Sequence, residues 1–207
     1  MDAERKALAR ARRIIVKIGS NALADHPDLI VNMAADVAEL SARGANILIV
    51  SSGAVALGWR QLGYRRRPKE IPQLQASAAT GQSLLMNRYA EAFNTHGLRV
   101  AQILLTHSDL AKRTSLNNAR ASLSALWDAR AIPIVNENDT VSTEEIRFGD
   151  NDQLAAMVTP LVSADLLILL SNVDGVLDED GQRISHFSAA HEVFVHRAAE
   201  GAQGRGG

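Results

Sequence analysis

The sequence predicts an α/β fold, a three-layer sandwich around a mainly parallel central sheet. Three observations lead there. Short β-branched apolar runs alternate with longer amphipathic stretches, the pattern of strands joined by helical crossovers. The runs are solidly apolar, as strands covered on both faces require. Each run then gives way to small or polar residues, where an open α/β sheet would place its loops.

Taken in order, residues 1–13 form a basic lead-in with Arg5, Lys6, Arg10, Arg12 and Arg13, read as a solvated helix. No apolar stretch of signal-peptide length follows it. The first strand is Ile14 to Ile18, and Leu29 to Arg43 reads as a helix stopped by Gly44. Ile47 to Val50 is a second strand, followed by helices over Ala54 to Leu62 and Gln73 to His96, the latter stopped by Gly97. Val100 to Leu105 and Ile132 to Val135 are strands on either side of a helix over Ser115 to Arg130. Asn136 to Asp152 is a long polar loop or hairpin, and loops of that length in a compact domain are usually functional. A helix over Asn151 to Ser163, a strand over Leu166 to Leu170 and a turn at Asp178-Glu179-Asp180-Gly181 complete the pattern. The chain reads as a single domain, with 178–207 a weakly structured tail rich in glycine at its end.

Composition narrows the function classes. The 207 residues carry 22 basic and 23 acidic side chains, a formal charge of −1, so no global field attracts nucleic acid or anionic lipid. With 46% hydrophobic and 22% charged residues the chain is an ordinary globular one. It has no cysteine, which excludes thiol catalysis, disulfides and cysteine-held metals and fits a reducing cytosol. No run approaches the roughly 18 apolar residues of a membrane span. The six histidines match no zinc spacing and read as surface residues, and Trp59 and Trp127 read as packing residues.

The strand ends hold the candidate chemistry. Lys17-Ile18-Gly19-Ser20-Asn21 puts a cation before a small turn whose amides could hold phosphate oxygens, although taken alone a surface lysine before a glycine turn is the better explanation. Neither a Walker A loop nor G-x-G-x-x-G occurs. Ser51-Ser52-Gly53-Ala54 starts a helix with a hydroxyl near its N-cap, which capping alone could explain. Asn136-Glu137-Asn138-Asp139 and Gly149-Asp150-Asn151-Asp152 are two acidic-amide clusters flanking a short excursion. Such residues are common in loops and caps, but this many could also bind an ammonium group, hold magnesium through water or orient a lysine. Ser171-Asn172-Val173-Asp174-Gly175 could line a nucleotide edge or simply turn.

Together the segments VKIGSNAL, ILIVSSGAVALG, AATGQ, IPIVNENDTV, FGDNDQLAA and ADLLILLSNVDGV resemble the amino acid kinase family, and within it the glutamate 5-kinase branch. The resemblance sets the bounds of the core at residues 14–177. The resemblance implies transfer of the ATP γ-phosphoryl group to the side-chain carboxylate of L-glutamate, in proline biosynthesis in the cytoplasm. It implies that Lys17, with the Gly19 turn amides, neutralises the transferring phosphoryl group, and that Asp152 orients the lysine. Ser52, Asp139 and Asn151 match positions that hold glutamate, with Asp150 beside them. Ser171 and Asn172 match a nucleotide contact. Magnesium is expected with ATP, with no dedicated protein cage. Relatives are usually homo-oligomers inhibited by proline, and no nucleic acid or membrane partner is implied.

Relatives continue past the nucleotide-side hairpin to a second catalytic lysine and, in many bacteria, to a C-terminal domain called PUA. This chain stops at Gly206-Gly207. On that reading the C-terminal part of the nucleotide half is missing and activity is expected to be impaired. The alternative is a catalytically silent glutamate-binding module acting through a partner chain.

Overall fold

The computed structural model describes residues 6, 8–141, 151–171, 175, 178 and 182–184. The chain divides into two compact units, residues 1–170 and 171–207. The first contains a five-stranded, all-parallel sheet in the order β3-β4-β2-β1-β5. Its strands are β1 (Arg13–Ile18), β2 (Asn46–Ser51), β3 (Arg99–Leu105), β4 (Ala131–Glu137) and β5 (Leu166–Leu170). The helices are α1 (Ser20–Asp25), α2 (Leu29–Ala42), α3 (Ala54–Gln61), α4 (Ile71–Asn94), α5 (His107–Ala111), α6 (Arg113–Asp128) and α7 (Asn151–Leu161). In the second unit the Asp178 N–H donates to the Gln182 carbonyl at 2.9 Å, and the Gln182 N–H donates to Asp178 Oδ1 at 2.8 Å, as a turn would.

The predicted strands and long helices are all present. Three local expectations change. Arg13 belongs to β1 rather than to the lead-in. Two short helices that periodicity misses follow strand ends: α1 after Gly19, and α5 after Thr106. Helix α5 is set by a capping box, in which Thr106 Oγ1 accepts from the Asp109 N–H at 3.1 Å and Asp109 Oδ2 accepts from the Thr106 N–H at 2.9 Å. Finally, β4 runs on through Asn136 and Glu137, both buried, so those two are strand residues rather than loop residues.

Alternation along each strand decides which layer a residue joins. On one face Ile14, Val16, Ile18, Ile47, Ile49, Ile132 and Ile134 pack with α2 and α4 through Ile30, Met33, Leu85, Tyr89 and Phe93. On the other, Ile15, Leu48, Val50 and Val135 pack with α5, α6 and α7 through Leu110, Leu123, Leu154, Val158 and Leu161. By the same parity Lys17 and Ser52 fall on the α7 side, while Ser51 and Asn136 fall on the α4 side. A slip of one residue in register would exchange every one of them.

Helices α3 and α4 touch backbone to backbone. A β-carbon on Gly58 would lie 1.7 Å from the Ser77 carbonyl oxygen, and one on Gly81 would lie 1.7 Å from the Ala54 carbonyl oxygen. Only residues without side chains permit this crossing. It brings Gln82, next to Gly81, up to the C-terminal edge of the sheet.

Candidate active site

The crossovers leaving β1 and β2 pass over the α2/α4 face, and those leaving β3 and β4 pass over the α6/α7 face. Neighbouring strands β2 and β4 therefore send their loops in opposite directions, which opens a crevice beyond their C-terminal ends. A cleft of about 260 Å³ lies there, lined among others by Asn21, Ser52, Gly53, Asn136, Glu137, Asp139 and Asn151. It is smaller than the ~300 Å³ at the low end of drug-sized sites, so it suits a compact molecule. A larger hollow of about 660 Å³ lies at the opposite edge of the sheet, around Asn46, Arg99 and Ala131 at the starts of β2, β3 and β4. It contains none of the candidate site residues.

Asn151 is the hub of the cleft. Its Nδ2 amide donates toward the Ser51 carbonyl at 2.7 Å, Asn136 Oδ1 at 2.8 Å and Ser52 Oγ at 3.0 Å. Two hydrogens serve three acceptors, so one of them is shared. The first turn of α7 is thereby tied to the ends of both β2 and β4. Asn136 continues the network: its Oδ1 accepts from the Glu137 N–H at 2.9 Å and its Nδ2 donates to Gln82 Oε1 at 2.8 Å. Below it, the Tyr89 hydroxyl donates to Ser51 Oγ at 2.9 Å, and complete burial pushes the phenol well above its ordinary range.

Ser52 does not cap α3. The N-cap is Gly53, in the left-handed conformation with φ 103°, and it makes no side-chain cap bond. The Ser52 hydroxyl is instead turned toward Asn151.

Beside the cleft, Lys17 Nζ lies 2.5 Å from Asp152 Oδ1. The Lys17 side chain is 11% exposed, whereas the Asp152 side chain is 49% exposed. A β-carbon at Gly19 would come within 3.7 Å of Lys17 Nζ, so the ammonium sits over the glycine turn. Consecutive residues Asn151 and Asp152 thus perform different tasks, one bridging the cleft floor and the other holding the cation at its edge.

The structure therefore gathers Ser52, Asp139 and Asn151 around one cleft, with Lys17, Gly19 and Asp152 beside it. Asp150 and Asn172 lie outside the described residues, and Ser171 is exposed in the second unit. Among the described residues no group of three or more His, Asp or Glu side chains is placed to hold a metal ion.

Several residues at this site carry no clear sequence signal. Arg60 and Arg67 line the cleft, although the run Arg65-Arg66-Arg67 gives no sign that its last member alone faces inward. Gln82 and Tyr89 sit inside a helix whose periodicity marks them only as core positions. His107 departs from the surface expectation: its side chain is 18% exposed and its Nδ1 lies 3.4 Å from Glu137 Oε1. The Thr106-His107-Ser108-Asp109 capping box was the signal that could have placed it.

Residues 12–207 match the model of the amino acid kinase family. Curated glutamate 5-kinases are similar: that of Geobacter sp. is 46% identical over 98% of this chain and 56% of its own length. That of Thermus thermophilus is 48% identical over 95% and 56%, and that of Streptomyces avermitilis 50% identical over 87% and 50%. The chain spans about half the length of these relatives. A solved structure of Giardia carbamate kinase shares the fold with a TM-score of 0.59 at 14% identity, covering 95% of this chain and 84% of that one. No helix among the described residues is long and apolar enough to cross a membrane. By the family match and the arrangement of its strand ends, the chain belongs to the amino acid kinase family.

Proposed function

We propose that this chain acts as a glutamate 5-kinase, transferring the γ-phosphoryl group of ATP to the side-chain carboxylate of L-glutamate, with the cleft between β2 and β4 as the acceptor site. The observation that carries this reading is the pairing of adjacent residues on α7: Asn151 binds Ser52 and Asn136 in the cleft, while Asp152 grips Lys17 at its edge. The curated relatives bear the same activity in their names.

In this reading the α-ammonium of L-glutamate docks on Asp139 and one of its carboxylates takes a hydrogen bond from Ser52, both being charge-assisted contacts. The reacting carboxylate oxygen, already ionised, attacks the γ-phosphorus. The bond from that phosphorus to the β–γ bridging oxygen breaks and ADP leaves with the electron pair, so no proton need move. The obstacle is the approach of two anions, and catalysis consists of positioning and charge neutralisation. Lys17 supplies the positive charge, fixed in direction by Asp152 and assisted by the Gly19 turn. By the family resemblance alone, Ser171 and Asn172 are proposed as nucleotide contacts. Magnesium accompanies the ATP phosphates, and feedback by proline, homo-oligomer formation and a cytoplasmic location belong to the same proposal.

A coupled ADP-release assay with L-glutamate tests it, with calorimetry of L-glutamate binding alongside. Glutamate-dependent turnover that disappears in Lys17→Ala supports the kinase. Binding without turnover supports a glutamate-binding module, and no binding of L-glutamate at all overturns the acceptor site.

A further inference from the structure

The hydrogen-bond chain through Asn136 has a fixed polarity. The Glu137 backbone N–H can only donate, so the Asn136 atom that faces it at 2.9 Å is the acceptor Oδ1. Asn136 Nδ2 must then point the other way, where it meets Gln82 at 2.8 Å, and the Gln82 atom facing it must be Oε1. Asn136 Oδ1 accepts also from Asn151 Nδ2 at 2.8 Å, and the same amide donates toward Ser52 Oγ at 3.0 Å. An amide nitrogen has no lone pair to offer, so Ser52 Oγ accepts there. Its own hydrogen is left to point elsewhere, and Ser52 lines the cleft.

At the far end, Gln82 Nε2 is buried with no hydrogen-bond partner among the described residues, on a residue only 8% exposed. Methionine or leucine would fill that space without stripping water from an amide, so packing gives no reason for glutamine. What the glutamine does supply is the acceptor that Asn136 Nδ2 needs. The Gly58 and Gly81 contact explains how it reaches, because the backbone of α4 at Gly81 lies against the Ala54 carbonyl beside the cleft.

We propose that Gln82 is a positioning residue: through Asn136 it holds Asn151, and so Ser52, in the orientation that leaves the Ser52 hydroxyl hydrogen free to donate to an anionic oxygen of the acceptor. This rests on reading the cleft as a carboxylate site. Gln82 is not among the residues lining the cleft and acts through two other side chains, 54 and then 15 residues apart in sequence.

The test compares Gln82→Met, which keeps the shape and removes the acceptor, with Gln82→Glu, which keeps the acceptor, in the full chain. Two readouts are taken: L-glutamate affinity by calorimetry, and proton exchange of the Asn136 and Asn151 side-chain amides by NMR without ligand. Gln82→Met is expected to weaken L-glutamate binding by about tenfold, the loss of one good hydrogen bond, and to speed exchange at both amides with little change in melting temperature. Gln82→Glu restores the amide protection. A purely structural glutamine would lower the melting temperature and leave the affinity of the folded fraction unchanged. Unchanged affinity and unchanged amide exchange in Gln82→Met overturn the proposal. If wild type itself fails to bind L-glutamate, the acceptor reading falls, and the amide signals alone decide whether the relay exists. If Gln82→Met does not fold, Gln82→Asn draws both polar groups back by one methylene. Weaker binding by that variant then supports the proposal, and wild-type affinity overturns it.

Discussion

Lys17 Nζ and Asp152 Oδ1 stand 2.5 Å apart, joining the end of β1 to the first turn of α7 across 135 residues of sequence. The lysine is buried and the aspartate half-exposed, so the pair fixes the direction of a cation more than it secures the fold. Asp152→Asn is expected to leave the melting temperature within a few degrees and L-glutamate binding intact. On the proposed kinase reading, phosphoryl transfer should fall by about a hundredfold, the scale on which a misaligned stabilising group acts. Parallel ADP-release and calorimetric measurements check this, and equal losses in both would contradict it.

Asn151 is the opposite case, since its amide serves three acceptors at once. Asn151→Asp would set a carboxylate against the Ser51 carbonyl, Asn136 Oδ1 and Ser52 Oγ, leaving buried acceptors unsatisfied at about 1–3 kcal/mol. Urea unfolding should show that loss, and calorimetry should show L-glutamate binding weakened with it.

The Gly58 and Gly81 contact leaves no room for a methyl group, since an added β-carbon would lie 1.7 Å from a carbonyl oxygen in either direction. Gly81→Ala should force α3 and α4 apart and cost about 1–3 kcal/mol or more, against the small gain alanine usually brings inside a helix. Equilibrium unfolding measures the sign directly. A stabilised Gly81→Ala protein would mean the helices do not cross this closely.

The capping box at α5 makes a pH prediction. Hydrogen bonds from the Thr106 hydroxyl and backbone N–H hold the Asp109 carboxyl below its ordinary value of 3.8. A group whose folded value is depressed stabilises the protein above the unfolded value, and that contribution is lost as pH falls through the folded one. Thr106→Ala should therefore cost about 1 kcal/mol at neutral pH, and its difference from wild type should shrink below pH 3.8 as Asp109 becomes protonated. Thermal melts of both proteins across that range check it.

Much of this was readable before folding. Solid apolar runs such as Ile47 to Val50 announced buried strands, because a strand covered on two faces has no polar side to display. Lys17, Ser52 and Asp139 stand at or just past the ends of such runs, where an α/β sheet gathers its loops, and Asn151 closes the loop that follows β4. Position alone also allowed turns and caps, and the family resemblance supplied their roles. The short helix α5 was overlooked although its capping box was visible, since one turn shows no periodicity.

Other features belong to the tertiary structure alone. That Ser52 meets Asn151 instead of capping its own helix depends on α7 being laid across the end of β2. That Gln82 serves Asn136 depends on two glycines letting α4 come within backbone contact of α3, and on parity turning Asn136 toward that helix. A side chain's type is written in the sequence. Its partner is set by register and layer, which only the packed sheet fixes, and that is why the polar residues of the relay looked like ordinary helix and strand positions until the chain was folded.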